Sequence, residues 1–198
     1  MQLRFSPTSP YVRKVRVAAA VLGLADRIAL IATDTLNPDD PIAGVNPLGK
    51  VPALTLDDGT TIYDSRVICE YLDAIAGGRL APAEPVARAR AMTAQALADG
   101  ILDASILQRY EAMFHEPHAR SARWVDRQSD KVARALAVFE AAPPVGEVDL
   151  AQIALACALG YLDFRFEGAW RAGHPRLVAW LEAFAAKVPA YGATAPSA

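Results

Sequence analysis

Ser9 stands where a short strand pattern gives way to a helix, within the segment Thr8-Ser9-Pro10-Tyr11. Proline is favoured in the first turn of a helix, because its missing N–H would have no partner there. Ser9 is therefore predicted at or near a helix N-cap, where free N–H groups and the helix dipole stabilise an anion and lower the pKa of a thiol. Its hydroxyl can donate a hydrogen bond to the sulfur of a bound thiol ligand. A serine that merely caps the helix is the alternative.

A second candidate is Val51-Pro52, inside the segment Asn46-Pro-Leu-Gly-Lys-Val-Pro-Ala-Leu54. A proline just before a strand cannot donate a sheet hydrogen bond. If the Val51-Pro52 peptide bond is cis, the Val51 backbone turns outward and offers both polar groups to a ligand. An ordinary edge-strand proline is the alternative, since only about one X-Pro bond in twenty is cis in folded proteins.

The third candidate is Asp64-Ser65, at the start of a predicted helix over 65–76. A carboxylate is stabilised at a helix N-terminus by the dipole. Ser65 and the free amides beside it suit a ligand carboxylate, while Asp64 suits an ammonium group, so that together they match one end of an amino acid. A plain pair of capping residues is the alternative.

The elements that carry these positions alternate between strand and helix. The predicted order begins with a strand around Leu3 and Phe5, a helix that ends at Gly23, and a strand over Ile28–Ile31. An irregular segment over Thr35–Pro47, with one short helix, follows. Strands over Ala53–Leu56 and Thr61–Tyr63, joined by an Asp58-Gly59 turn, then lead to the helix over 65–76. The first helix allows a parallel crossover between the first two strands. The hairpin then adds antiparallel strands. The prediction for residues 1–77 is an α/β domain of order βαβαββα.

Residues 78–85 contain glycine and proline that break both periodicities, so they are predicted to be a linker. Residues 86–198 are predicted to be an all-helical domain, with helices near 86–115, 119–141, 149–165 and 175–187. Asp149, with Gln152 three residues later, resembles a capping box at the start of the third of these helices.

Composition excludes several classes of protein. The 198 residues are 53% hydrophobic with a net charge of −2, so the chain is expected to fold and lacks the basic excess of a nucleic-acid binder. The longest apolar stretches, Val17–Ala25 and Ile153–Leu162, are shorter than the roughly 20 residues that span a bilayer. No secretory signal is visible, and Cys69 and Cys157 are too isolated for a disulfide framework, so a cytoplasmic location is expected.

Two further groups of residues are given structural interpretations. His115 and His118 are separated by Pro117 and lack a third ligand, so no metal site is expected. Arg13, Lys14 and Arg16 are expected to form a solvated face of the first helix.

Four segments resemble the glutathione S-transferase family. Phe5-Ser-Pro-Thr-Ser-Pro-Tyr-Val-Arg-Lys-Val-Arg-Val is similar to the first strand and helix of bacterial members, and Asn46–Leu54 to their cis-proline loop. Tyr63–Leu72 is similar to their γ-glutamyl-binding segment, and Asp149–Phe166 to their capped core helix. The resemblance covers nearly the whole chain. It implies a thioredoxin-like glutathione-binding N-terminal domain and a helical C-terminal domain.

The resemblance also implies a role for each matched residue. Ser9 would stabilise the glutathione thiolate, although Ser6 and Thr8 are close enough to leave that assignment open. The Val51 backbone, turned by Pro52, would pair with the cysteinyl part of glutathione. Asp64 and Ser65 would hold the γ-glutamyl amine and carboxylate, and Lys50 would meet the glycine carboxylate.

The activity that the resemblance implies is conjugation of glutathione to a small hydrophobic electrophile, as in detoxification. Family members with thiol-disulfide chemistry have cysteine where this chain has Ser9, so that chemistry is not expected. Glutathione is the only cofactor expected, as a co-substrate, and a homodimer is implied. The electrophile itself is not readable; its candidate pocket residues are Thr8, Tyr11, Asp103, Leu107 and Tyr110. The alternatives are another glutathione-dependent enzyme, an isomerase or peroxidase, or a non-catalytic module that binds a protein partner.

Overall fold

Two units make up residues 1–196, the part of the chain that the computed structural model describes. The first contains Met1–Arg88 together with the described residues from Val188 onward, and the second contains Ala89–Lys187. The domain boundaries expected from the sequence, after residue 77 and before residue 86, stay a prediction.

A mixed four-stranded sheet forms the centre of the first unit. Its strands are β1 (Gln2–Phe5), β2 (Ala29–Ala32), β3 (Ala53–Thr55) and β4 (Thr61–Ile62), in the spatial order β2-β1-β3-β4. Strand β1 is parallel to β2 and antiparallel to β3, and β3 is antiparallel to β4. The parallel strands β1 and β2 are joined through a helix, as connection rules require. The antiparallel strands β3 and β4 are joined by the turn at Asp58-Gly59. The predicted α/β fold is confirmed.

Four helices belong to this unit: α1 (Pro10–Val21), α2 (Ile42–Val45), α3 (Ser65–Ile75) and a short C-terminal helix, α8 (Pro189–Ala193). Helices α1 and α3 pack together, and α8 packs against α1. The core contains Leu3 and Leu54 from the sheet, Val15 from α1, and Ile68 and Leu72 from α3, all fully buried. A 3-10 turn at Ala25–Arg27 leads into β2. Helix α8 was not expected from the sequence.

The segment predicted as a linker is hydrogen-bonded to one carboxylate of α3, that of Asp73. Buried Asp73 accepts hydrogen bonds from the backbone N–H groups of Arg79 and Leu80, both at 2.7 Å, and of Ala81 at 3.1 Å. Leu80 and Ala81 are themselves buried. Three backbone donors are thus satisfied by a single side chain, which orders this stretch.

The second unit is helical. Its helices are α4 (Pro85–Phe114), which begins in the first unit, α5 (Ala122–Ala141), α6 (Leu150–Arg165) and α7 (Pro175–Lys187). Every residue of α6 from Leu150 to Leu162 is buried. Short 3-10 turns lie at Pro117–Ala119 and Ala169–Gly173. The all-helical prediction for this half is confirmed.

Capping explains where these helices begin. Asp149 accepts the Gln152 N–H at 2.8 Å, but the Gln152 side chain bonds the Glu147 carbonyl at 2.6 Å, so only half of the predicted capping box forms. The predicted start of α5 near residue 119 was too early. Ser121 caps this helix by accepting the Trp124 N–H at 3.2 Å, and the preceding residues form a separate turn.

Within residues 1–196, no helix is both long and apolar enough to cross a bilayer. Cys69 on α3 and Cys157 on α6 are fully buried, as expected for small apolar side chains. No cluster of three or more metal-ligating side chains occurs among these described residues.

Candidate functional site

The three candidate segments meet at one end of the sheet. In the strand register Arg4 faces Ala53 and Leu54 faces Ile62. The end of β1, the start of β3 and the end of β4 therefore lie at the same end of the sheet. The loops attached there contain Ser9, Val51-Pro52 and Asp64-Ser65 respectively. Helices α1 and α3 both begin at this end, so two sets of free N–H groups and two positive dipole ends open onto it.

Ser9 is the N-cap of α1. Its backbone is extended, with φ −78° and ψ 119°, and its hydroxyl oxygen accepts the Val12 N–H at 3.3 Å. Pro10 occupies the first helical position. As an acceptor in this bond, the hydroxyl still has its own hydrogen to donate. Capping and donation to a ligand are therefore compatible.

The neighbouring hydroxyls differ from Ser9. Ser6 and Thr8 lie 3.4 Å apart, oxygen to oxygen, and bond to each other. The Ser6 carbonyl accepts the Ser9 N–H at 3.2 Å, which closes the turn before α1. Of the three hydroxyls, only that of Ser9 caps the helix.

Asn46 organises the loop before β3, a role that the sequence did not reveal. It is only 2% exposed, and its amide donates to the Lys50 carbonyl at 2.8 Å while its side-chain oxygen accepts the Leu48 N–H at 3.1 Å. Gly49 has φ +61°, which favours glycine. The sequence signal for such a loop is Asn46 followed by Gly49, since glycine allows the turn that brings the Lys50 carbonyl to the asparagine side chain.

The Val51-Pro52 peptide bond is cis. No hydrogen bond within residues 1–196 engages the backbone N–H or C=O of Val51. Both groups lie beside the start of β3, where an extended ligand can pair with them as an added strand. Lys50, immediately before, is exposed.

Asp64 and Ser65 form the start of α3. The Asp64 carboxylate accepts the Arg66 N–H at 2.9 Å, which makes it the N-cap. Ser65 is 2% exposed, and its hydroxyl makes no hydrogen bond to another described residue. The Tyr63-Asp64 peptide bond is also cis, and no proline in the sequence signalled it. The site thus combines a carboxylate, the hydroxyl of a serine that is 2% exposed, and a helix N-terminus.

The candidate pocket residues are divided between the two units. Thr8 and Tyr11 lie at the start of α1, half-buried. Asp103, Leu107 and Tyr110 are exposed on α4, and the ring of Tyr110 meets Phe114 edge-on at 5.4 Å between centroids. Their assignment to a pocket stays a prediction.

The expectation that Arg13, Lys14 and Arg16 form a solvated face of α1 is wrong. Arg13 is 7% exposed and Lys14 is fully buried, while Arg16 is half-buried. The physical reason is that small apolar residues cover the whole circumference of α1, so that the helix is enclosed on all sides. The buried set that shows this is Val12, Val15, Val17, Ala18 and Ala19. That all-round pattern is the signal that could have identified Arg13 and Lys14 as buried.

Comparison with known proteins matches both halves of the chain. Residues 8–75 match the family model described as "Glutathione S-transferase, N-terminal domain", and residues 122–183 match "Glutathione S-transferase, C-terminal domain". The chain is 36% identical to the "Uncharacterized GST-like protein YibF" of Escherichia coli K12, over 92% of each chain.

Two crystal structures of a glutathione transferase family member from Pseudomonas fluorescens Pf-5 are also similar. The one with bound glutathione has a TM-score of 0.93 and 46% identity, over 100% of this chain and 99% of that one. The other, with bound S-(propanoic acid)-glutathione, has a TM-score of 0.90 at the same identity, over the full length of both chains.

Proposed function

The chain belongs to the glutathione S-transferase family, and we propose that it binds reduced glutathione, stabilises its thiolate and transfers it to a small hydrophobic electrophile. The observation that supports this most is the meeting of Ser9, Val51-Pro52 and Asp64-Ser65 at one end of the sheet, with two helix N-termini opening onto it. The glutathione bound to the Pseudomonas fluorescens relative supports the ligand assignment.

Each segment then holds one part of the tripeptide. Asp64 accepts hydrogen bonds from the γ-glutamyl ammonium group, and the Ser65 hydroxyl with the first amides of α3 binds the γ-glutamyl carboxylate. The Val51 backbone pairs with the cysteinyl amide and carbonyl in the manner of a short antiparallel strand. Lys50, exposed at the edge of the loop, attracts the glycine carboxylate.

This arrangement brings the sulfur to the start of α1. Ser9 donates its hydroxyl hydrogen to the sulfur while still accepting the Val12 N–H. A hydrogen bond to the charged form and the positive end of a helix dipole both favour the thiolate over the thiol. The thiol proton is released to solvent, and the thiolate attacks the electrophilic carbon to form a C–S bond. Either the bond to a leaving group breaks and that group departs with its electron pair, or the π bond of a conjugated alkene breaks and its electron pair takes up a proton.

For the surface that binds the electrophile, we propose only its general chemical character. Leu107 and Tyr110 on α4, with exposed Phe114 beside Tyr110, offer apolar and aromatic surface suited to a hydrophobic compound. The other predicted pocket residues, Thr8 and Tyr11 on the first unit and Asp103 on the second, stay predictions. The S-(propanoic acid)-glutathione bound to the Pseudomonas fluorescens relative supports a small substituent on the sulfur. Homodimerisation and a cytoplasmic role in detoxification stay predictions from the family.

Product analysis separates the candidate reactions. The purified protein is incubated with glutathione and either chlorodinitrobenzene or an organic hydroperoxide, and the products are identified by mass. Enzyme-dependent formation of the dinitrophenyl conjugate supports the transferase. Oxidised glutathione formed only from the hydroperoxide indicates a peroxidase instead. If neither product forms and the protein still binds glutathione, the remaining alternatives are an isomerase and a non-catalytic module.

A further inference from the structure

Arg13 is a buried cation one helical turn after Ser9. Its backbone N–H donates to the Ser9 carbonyl at 3.0 Å, which makes it part of the first hydrogen-bonded turn of α1. Side chains on a helix lean toward its N-terminus. The Cα–Cβ bond of Arg13 therefore leans toward the end of α1 at which Ser9 lies.

The C-terminal helix holds this guanidinium with neutral groups only. One Arg13 Nη donates to the Tyr191 carbonyl at 2.6 Å, and the guanidinium carbon lies 3.9 Å from the centroid of the Tyr191 ring. Tyr191 is itself 8% exposed. The Arg13 Nε is buried without a hydrogen-bond partner, and no carboxylate within residues 1–196 forms an ion pair with this side chain.

A buried charge is normally paired with an opposite one, because desolvation is costly. The Arg13 charge is instead left uncompensated close to a site proposed to hold an anion. Because solvent does not screen it, its field extends further than that of a surface arginine. A thiolate at the α1 N-terminus lies about one to two helical turns from Arg13 along the helix axis, at roughly 5.4 Å per turn.

We propose that Arg13, held in place by Tyr191 of α8, stabilises the glutathione thiolate electrostatically, so that the C-terminal helix sets the reactivity of the bound thiol. This inference rests on the proposed function. Arg13 acts at a distance and Tyr191 acts as a positioning residue, so neither has to touch the substrate.

Other charged groups lie on α1 and on the elements that pack against it, and the test must separate Arg13 from them. Those on α1 are Lys14 and Arg16. Helix α3 has Arg66, Glu70 and Asp73, with Asp64 as its N-cap, and the 3-10 turn has Asp26 and Arg27. Helix α8 has no charged residue. Arg16 provides a matched control, because it is a half-buried cation on the same helix, with its guanidinium 6.0 Å from the Phe5 ring centroid.

The test is the pKa of the enzyme-bound glutathione thiol, followed by thiolate absorbance across pH, together with the affinity for S-methylglutathione. The methylated ligand has no thiol to ionise, so a purely electrostatic role leaves its affinity unchanged. Arg13→Met is expected to raise the bound-thiol pKa by about one unit, because it removes an opposite charge. Arg13→Lys keeps most of the effect, and Arg16→Met leaves the pKa unchanged.

Tyr191→Ala and Tyr191→Phe provide a second test that does not depend on the folding of Arg13→Met. Without the ring, the Arg13 side chain turns toward solvent and is screened, so Tyr191→Ala raises the bound-thiol pKa by a smaller amount, whereas Tyr191→Phe does not. An unchanged thiol pKa in Arg13→Met or in Tyr191→Ala overturns the inference. So does an equal loss of affinity for glutathione and S-methylglutathione in Arg13→Met, which is the mark of a structural role. If the wild-type protein does not bind glutathione at all, the proposed function fails as well.

Discussion

The Ser9 hydroxyl oxygen accepts the Val12 N–H at 3.3 Å, and this bond fixes the orientation of the side chain before any ligand is present. A serine that caps a helix in this way keeps its hydroxyl hydrogen for another acceptor. The two interpretations of Ser9, a helix cap and a donor to a thiolate, are therefore two uses of one geometry. Substitution at this position is expected to affect both stability and catalysis.

Ser9→Ala tests both uses at once. Loss of the cap should lower the free energy of unfolding by about 1 kcal/mol. Loss of the donor should lower kcat for conjugation by about 10²- to 10³-fold, as for removal of one oxyanion-stabilising donor. Denaturant unfolding and steady-state kinetics measure the two effects.

Ser121→Ala is the matched control, because Ser121 caps α5 by accepting the Trp124 N–H at a similar distance, 3.2 Å. It should lose a similar stability and keep full activity. A Ser9→Ala enzyme that conjugates at the wild-type rate would show that Ser9 only caps the helix.

Asp64→Asn should weaken glutathione binding about tenfold or more, because a charge-assisted hydrogen bond to the ligand ammonium is lost. The helix start is preserved, since asparagine caps as well as aspartate. Asp58→Asn is the control: Asp58 accepts the Thr60 N–H at 2.8 Å, much as Asp64 accepts the Arg66 N–H at 2.9 Å, but it lies in the hairpin turn. Titration calorimetry compares the variants, and equal affinities would remove Asp64 from the site.

Lys50→Gln should lower the affinity for glutathione by about threefold, the size expected for an exposed ion pair. It should not change the affinity for the glycyl ethyl ester of glutathione, which lacks the carboxylate that Lys50 is proposed to meet. Lys131→Gln, on α5, provides a matched lysine substitution at a residue with no proposed role in binding. If both ligands lose affinity equally in Lys50→Gln, the lysine does not contact the glycine carboxylate.

Asp149 predicts a pH dependence of folding stability. Burial raises the pKa of its carboxyl above the usual value, although the backbone N–H groups of Gln152 and Ala151 act in the opposite direction. The folded chain therefore holds a proton at a pH where the unfolded chain has released it. The stability from this group is present below the unfolded pKa of about 3.9 and is lost as pH rises through the folded pKa.

Asp149→Asn isolates that contribution, because asparagine keeps the cap without titrating. The free energy of unfolding of the wild type, relative to this variant, should fall as pH rises from about 3.9 through the folded pKa. Urea unfolding at a series of pH values measures the difference. A difference that stays constant, or that grows with pH, contradicts the raised pKa.

The sequence was most informative where local chemistry decides the structure. Pro10 predicted the start of α1 and the place of Ser9, and Asp149 predicted the start of α6. Ser9 and Asp149 each accept the amide N–H of the residue three positions later, which is a short-range effect. The parallel pairing of the first two strands and the antiparallel hairpin also followed once the helical crossover and the Asp58-Gly59 turn were recognised.

Long-range partners could not be predicted in this way. Arg13 and Tyr191 are 178 residues apart, and α8 is a five-residue helix that contains proline and glycine and has no periodic pattern. The cis peptide before Asp64 follows a tyrosine and has no proline to signal it. Asn46 looked like an ordinary loop residue, because its partners are main-chain groups that any sequence provides.

Proton release on glutathione binding tests the central claim most directly. Calorimetric titration near neutral pH, repeated in buffers with different ionisation enthalpies, gives both the stoichiometry and the number of protons released. We expect saturable binding of one glutathione per chain with release of most of one proton, because the bound thiol becomes a thiolate, and less release by Ser9→Ala. Binding without proton release would contradict thiolate stabilisation, and the absence of binding would contradict the glutathione site itself.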